Sequence, residues 1–188
     1  MSGSTEAVRT RRFSVAEYHR LVEAGVLDED DRVALLEGVI VEVRPQSERH
    51  ARVIQRLTAL LVRAADDRLV VRPQLPLTLP DSEPEPDLAV VRTADAASPD
   101  DHPTRALLVV ETSSASLAHD RTVKARIYAR AGIPEYWLVN LGERCVEVHR
   151  DPDTATTRYR RISRLAAVDS LGSLAIPGLT LEVGALFD

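Results

Sequence analysis

The sequence predicts an α/β fold in which a mixed β-sheet is flanked by helices. Three features carry this prediction. An amphipathic helix runs from Ser47 to about Asp66, and a train of short apolar runs broken by prolines and acidic turns follows it. A second long helix, about Leu117 to Ala131, then stops at Gly132 and Pro134 just before the apolar strand Tyr136–Asn140. The core order is helix, three strands, helix, strand, with extra strands at both ends.

Each element has a local reason. Phe13 to Ala24 reads as a first helix, with Ser14 and Glu17 as a capping box, Phe13 and Tyr18 as its hydrophobic staple and Gly25 ending it. Val33–Leu36 and Val39–Val43 flank Glu37-Gly38, a hairpin signature. Ser47 is a good N-cap for the long helix, on which Val53, Leu57, Leu60, Leu61 and Ala64 share one face. Arg49, Arg52, Arg56 and Arg63 form a stripe beside that face, within roughly 60° of each other at about 100° per residue. Leu69–Arg72, Leu75–Leu79, Leu88–Arg92 and Ala106–Glu111 read as strands, and Asp95 to Pro103 as a polar connection. Tyr136–Asn140 is apolar enough to be buried on both faces. Cys145–Arg150 and Thr157–Ile162 suggest an antiparallel pair, and Ser173 to Phe187 short strands or turns. No repeat or long linker divides the chain, so residues 13–188 are expected to form one domain after a disordered basic tail over 1–12.

Composition narrows the function. The 188 residues, 44% hydrophobic and 28% charged, suffice for a real core without staples. A single cysteine, Cys145, excludes an internal disulfide framework and a cysteine-based zinc cage. With no apolar run of membrane length and no signal-peptide pattern, the expected location is the cytoplasm. A net charge of −5 argues against a protein that coats nucleic acid by bulk electrostatics, but not against an enzyme that gathers carboxylates around a metal. Of the 24 basic residues, 23 are arginine and one, Lys124, is lysine. A drift toward arginine would replace any lysine serving only as a surface cation, so the survivor calls for a specific reason.

Three carboxylates sit at strand ends or tight turns: Glu37 in Leu-Leu-Glu-Gly, Asp87 in Glu-Pro-Asp-Leu-Ala-Val and Glu111 in Leu-Val-Val-Glu-Thr-Ser. An unpaired carboxylate at the tip of a buried strand costs several kcal/mol and so needs a cation or strong donors. Magnesium accepts a few such oxygens together with waters and substrate phosphate. Alone, each acid is also what an ordinary capped turn would show. Lys124 falls on the apolar arc of its helix, roughly 140° wide, with Val123, Ile127, Tyr128 and Ala131, and so turns toward the sheet. Asp120 shares that face one turn earlier. An Asp120–Lys124 pair alone would be served equally well by arginine, whereas a compact ammonium suits a water or phosphate. His50, central on the apolar face of the Ser47 helix, fits either a hydrogen-bonded core histidine or a supporting site residue. The arginine stripe, Arg49, Arg52 and Arg56 foremost, fits either phosphate contacts or a solvated flank.

The ordered set Leu-Leu-Glu-Gly-Val-Ile-Val, Ser-Glu-Arg-His, Glu-Pro-Asp-Leu-Ala-Val, Leu-Val-Val-Glu-Thr-Ser-Ser and Asp-x3-Lys-x3-Tyr-x3-Gly-Ile-Pro-Glu-Tyr-Trp-Leu-Val resembles the Uma-type restriction endonuclease family. That family, also labelled a domain of unknown function, is placed in the PD-(D/E)-x-K nuclease superfamily. The resemblance runs from about Phe13 to Phe187 and implies a restriction-endonuclease-like αβββαβ core. It implies Asp87 as the PD acid, Glu111 as the (D/E) position and Glu37 as an additional upstream acid. Two residues beyond Glu111 the superfamily pattern has lysine and this chain has Ser113, so Lys124 would supply the amine from the following helix.

The resulting expectation is a Mg2+-dependent endonuclease, with Mn2+ as a substitute, that cleaves DNA as a homodimer. Asp87, Glu111 and Glu37 would hold metal, and Lys124 would serve catalysis. The competing class is a nuclease-fold protein without catalysis that acts as a binding or assembly module. No G-x-S-x-G, H-E-x-x-H or P-loop pattern supports another hydrolase.

Overall fold

The computed structural model describes residues 10–28, 30–43, 45–96, 98 and 101–188. Of the expected tail, residues 1–9 lie outside the described residues. Arg11 and Arg12 do not form a free tail: Arg11 pairs with Glu17 and Arg12 donates to the Glu37 carbonyl. Helix α1 (Val15–Glu23) opens with the expected capping box, in which Ser14 accepts from the Glu17 amide and Glu17 accepts from the Ser14 amide.

Strands β1 (Val33–Leu36) and β2 (Val39–Glu42) pair antiparallel around Glu37 (φ 49°) and Gly38 (φ 75°). Two successive positive φ values make a type I′ turn, whose twist matches that of the flanking strands. Gly38 is required there, because a Cβ would lie 2.7 Å from Arg12 Cβ and 2.8 Å from the Phe13 carbonyl oxygen.

Helix α2 (Glu48–Ala64) is capped by Ser47 and leads into β3 (Leu69–Pro73), β4 (Leu88–Arg92) and β5 (Leu108–Ser113). A helical crossover over residues 117–130 follows, then β6 (Glu135–Asn140), β7 (Cys145–Asp153) and β8 (Arg158–Leu165). These six strands form one sheet in the order β3-β4-β5-β6-β7-β8. All neighbours are antiparallel except β5 and β6, the parallel pair that the crossover connects. Strands β9 (Ser170–Gly172) and β10 (Thr180–Glu182) form a separate small antiparallel pair. The expected order of helix, three strands, helix, strand is therefore present.

Leu75–Leu79 is not the expected strand. Leu77 and Leu79 are buried, but this stretch makes only an isolated bridge, Leu79 to Ser82. Pro76, Pro80, Pro84 and Pro86 each lack the amide a ladder needs, so the apolar side chains fill the core from a loop.

The sheet buries both faces. On one, Val53, Ile54, Leu57 and Leu61 of α2 pack against Val90 and Val110. Truncating a fully buried leucine such as Leu57 to alanine costs about 2–5 kcal/mol. On the other, Ile127, Tyr128 and Leu77 cover Ala89, Val109 and Leu138. The crossover on this second face is not one uniform helix. It comprises α3 (Leu117–His119), a wide π-turn over Asp120–Lys124 and α4 (Ala125–Arg130).

Candidate active site

The antiparallel register of β4 and β5 sets Leu88 opposite Val110, so Asp87, just before β4, continues opposite Glu111. Side-chain alternation places both acids on the face covered by the crossover. Both are buried, and the Thr112 amide donates to Asp87 Oδ2 at 2.6 Å. The sheet thus sets two carboxylates side by side. The crossover brings the cation: Lys124 Nζ lies 2.7 Å from Glu111 Oε1 and 4.0 Å from Asp120 Oδ1. The Tyr128 hydroxyl donates to the same Glu111 Oε1 at 2.6 Å.

The π-turn spans the segment from Asp120 to Lys124. Such bulges recur at functional sites because they re-aim side chains within a helix. Ser116 Oγ donates to Asp120 Oδ2 at 2.7 Å and therefore accepts from Ser113 Oγ, 3.1 Å away. Ser113 thus feeds a hydroxyl chain to the acid that flanks Lys124.

From the other side of the sheet, His50 on the first turn of α2 places Nε2 2.9 Å from Asp87 Oδ2. Despite this approach, the buried nitrogen makes no hydrogen bond among the described residues. Gln46 Nε2 makes a long 3.4 Å contact with Asp87 Oδ1. The sequence reading did not single out Gln46, Ser116 or the hydroxyl of Tyr128. Only the four-residue spacings Ser116–Asp120 and Lys124–Tyr128 hinted at the last two.

Glu37 does not join this cluster. Its Oε1 accepts from Arg126 Nε and from Arg130, each at 2.8 Å, and its Oε2 accepts from Arg126 at 2.5 Å. Among the described residues, no three His, Cys, Asp or Glu side chains are gathered as a ready metal cage, so the expected Glu37–Asp87–Glu111 ligand trio is not assembled. The arginine stripe is partly committed as well. Arg52 pairs with Glu48 at 3.3 Å, and Arg56 donates to the Ala185 carbonyl at 3.1 Å. Arg49 is exposed at the start of α2, next to His50.

The electrostatics are unbalanced in a useful direction. Burial pushes the Glu111 carboxyl up to about 7; Lys124 opposes this, and the Asp87 and Asp120 charges add to it. Burial works against the Lys124 ammonium, but Glu111, Asp120 and Asp87 outweigh it and hold its pKa above the ordinary lysine value. Burial, then the Glu111 charge, raises the Tyr128 phenol well above its usual range. Three buried carboxylates therefore face one ammonium. Among the described residues, Glu111 Oε2 accepts no hydrogen bond, and Asp87 Oδ1 accepts only the long one from Gln46. Two carboxylate oxygens without a close donor among the described residues and surplus negative charge suit a divalent cation that completes its shell with water.

A family model described as Uma2, putative restriction endonuclease, matches residues 15–184. The chain belongs to the Uma2 family. Among solved structures, this Uma2 chain is similar to the crystal structure of a putative nuclease belonging to DUF820 from Anabaena variabilis, with a TM-score of 0.75. The two share 14% identity over 93% of this chain and 97% of that one, so the likeness is one of fold. No match came from the curated proteins. Both the family read from the motifs and the mixed sheet flanked by helices are upheld. Among the described residues, no helix of this Uma2 protein is long and apolar enough to cross a membrane.

Proposed function

We propose that this Uma2 protein is a Mg2+-dependent endonuclease that hydrolyses DNA phosphodiester bonds at Asp87, Glu111 and Lys124. The observation that carries this reading is the cation-poor pair of buried carboxylates on adjoining strands, with the chain's only lysine 2.7 Å from one of them. Asp87 and Glu111 would hold the ion, and Mn2+ would substitute. Bound there, a divalent cation lowers the pKa of its water and draws charge from the phosphate.

The chain's own groups do the rest. With its pKa raised, Lys124 stays an ammonium near neutral pH. It therefore donates to the attacking water or to a phosphate oxygen and does not act as a base. The Thr112 amide and, at longer range, Gln46 hold Asp87, and Tyr128 holds Glu111. Arg49 and Arg52, near His50 on α2, reach for neighbouring phosphates. Water adds to phosphorus as the bridging P–O bond breaks, leaving a phosphate monoester and a hydroxyl. Cutting both strands of a duplex calls for two sites, so the reading includes a homodimer, checked by light scattering with and without DNA.

The test is Mg2+ and Mn2+ titration by calorimetry, combined with cleavage of plasmid and single-stranded DNA by wild type, Asp87→Ala and Lys124→Ala. Wild type should bind metal and cut, and both variants should lose cutting. Moving the amine with Ser113→Lys in the Lys124→Ala background should restore part of the rate. DNA binding without metal binding or cleavage would sink the enzyme reading in favour of the non-catalytic module.

A further inference from the structure

We propose that Glu37 is a positioning residue, a clasp on Arg126 and Arg130 that holds α4, and with it Lys124 and Tyr128, against Glu111. This rests on the nuclease reading for the importance of Lys124, but not for the clasp itself. The acid that the family resemblance marks as a further ligand thereby takes a different role.

The first ground is where its oxygens go. Both are occupied by guanidinium groups in a forked arrangement, a geometry suited to rigid orientation. Among the described residues, Glu111 and Asp87 each keep an oxygen without a close donor. The second ground is helical phase. Arg126 and Arg130 are four residues apart and so share one side of α4. Lys124 and Tyr128, offset from them by two residues, point roughly 200° away at about 100° per residue. One side of the helix is gripped and the other serves the site.

The grip is itself anchored. The type I′ turn fixes the Glu37 backbone at φ 49°, and the Glu37 amide donates to Ser82 Oγ at 2.9 Å. The next amide, Gly38 N, donates to the Asp81 carbonyl at 2.9 Å, and Asp81 in turn pairs with Arg130. The hairpin tip, the Asp81–Ser82 turn and α4 therefore form one connected unit. A reason for such an anchor lies just upstream. A π-turn is a weaker stretch of helix than an α-turn, and α4 follows it directly. Without the clasp, the pitch at Lys124 would be free to relax.

The single lysine makes this measurable without metal or substrate. The acylation rate of Lys124 Nζ, localised by mass spectrometry, reads its exposure and pairing in the full chain. Glu37→Gln and the double variant Arg126→Gln/Arg130→Gln should each raise that rate by about tenfold. Combining all three substitutions should add little, because they remove one unit. Val146→Ala, which loosens the opposite face of the sheet, should leave the rate unchanged. In parallel, Glu37→Gln should bind Mn2+ within about threefold of wild type, whereas Asp87→Ala should lose a hundredfold or roughly so.

Unchanged Lys124 reactivity in both clasp variants would overturn the proposal. So would loss of Mn2+ binding in Glu37→Gln while the arginine variant keeps it, which would make Glu37 a ligand. Should Glu37→Gln fail to fold, Arg126→Gln alone carries the same reactivity test. Failure of wild type to bind Mn2+ would instead count against the nuclease reading, with the acylation arms still deciding the clasp.

Discussion

Two glutamates, Glu37 half-buried and Glu111 buried, meet opposite sides of the same crossover, and they are charged to opposite effect. Glu37 meets two guanidinium groups, and its hydrogen bond from Arg126, followed by the charges of both arginines, holds its carboxyl below the usual range despite burial. Glu111 meets one ammonium and a phenol, with Asp87 and Asp120 close by, and is pushed up to about 7. The residue type and the crossover are the same. Burial, complete only at Glu111, and the balance of partners both differ. On the proposed readings, the carboxylate matched by its surroundings is the fastener, and the one left short of positive charge is the receptor for a cation.

The largest effect that would break this comparison is on cleavage. Glu111→Gln removes the charge but keeps the shape, and should lower the DNA cleavage rate by on the order of 10²–10³. Its thermal stability without metal should hold or rise, because an under-compensated buried charge is gone. A near wild-type rate with Mg2+ would end the receptor half of the contrast.

The fastener half has the opposite sign in stability. Removing one partner of a buried ion pair costs about 3–5 kcal/mol and an exposed pair is worth about 0–1; with Glu37 half-buried and Arg126 and Arg130 partly exposed, Glu37→Ala should lose roughly 1–2 kcal/mol in denaturant melts. Equal melting of Glu37→Ala and wild type would show that the clasp holds nothing. Tyr128→Phe should do no more. Losing a hydrogen bond to a charged group costs about 1.5–3 kcal/mol, and Lys124 remains on the same oxygen to soften it. The accompanying sign is Mn2+ affinity, expected to fall by up to about tenfold. Unaltered affinity would reduce Tyr128 to a packing residue.

How much of this was legible in the sequence follows from how local each signal is. Asp87 and Glu111 announce themselves because each adjoins an apolar run, and a carboxylate at the end of a buried strand needs a partner. Glu37 carries the same local signature at a tight turn. What separates it is a partner 89 residues away, and no local pattern encodes that. Helical phasing correctly turned Lys124 inward, yet it assumed one uniform helix and could not see the π-turn that sets Lys124 beside Asp120. Tyr128 read as apolar because its ring is, and the strongest contact it makes is through its one polar atom. Leu75–Leu79 has the apolar content of a strand, and the prolines around it decide otherwise by withholding amides.

The smallest effect concerns a buried group beside the site, and it extends the comparison to a base. His149 on β7 stands opposite Tyr136, with its ring between Tyr136 and Tyr159 at centroid distances of 5.1 and 5.6 Å. Glu147 lies 3.8 Å from its Nε2, too far to bond, and Arg121, itself paired to Glu147, lies beyond. Among the described residues, Nε2 has no hydrogen-bond partner. Burial therefore lowers the imidazole pKa, with Arg121 adding and Glu147 opposing. The folded chain prefers the neutral ring, while the unfolded chain takes up a proton near the ordinary value of about 6.5. By linkage, the stability this contributes is fully present above that value and is lost as pH falls through the window below it. Unfolding free energies measured from about pH 7.5 down to about pH 5 should fall more steeply for wild type than for His149→Phe, which keeps the aromatic packing and cannot titrate. The difference between the two curves isolates the imidazole from carboxylates titrating in the same range. A wild-type curve that falls less steeply than that of His149→Phe would mean that Glu147 keeps the ring charged, making this pocket a matched pair like the Glu37 clasp, and parallel curves would mean that burial and Glu147 cancel.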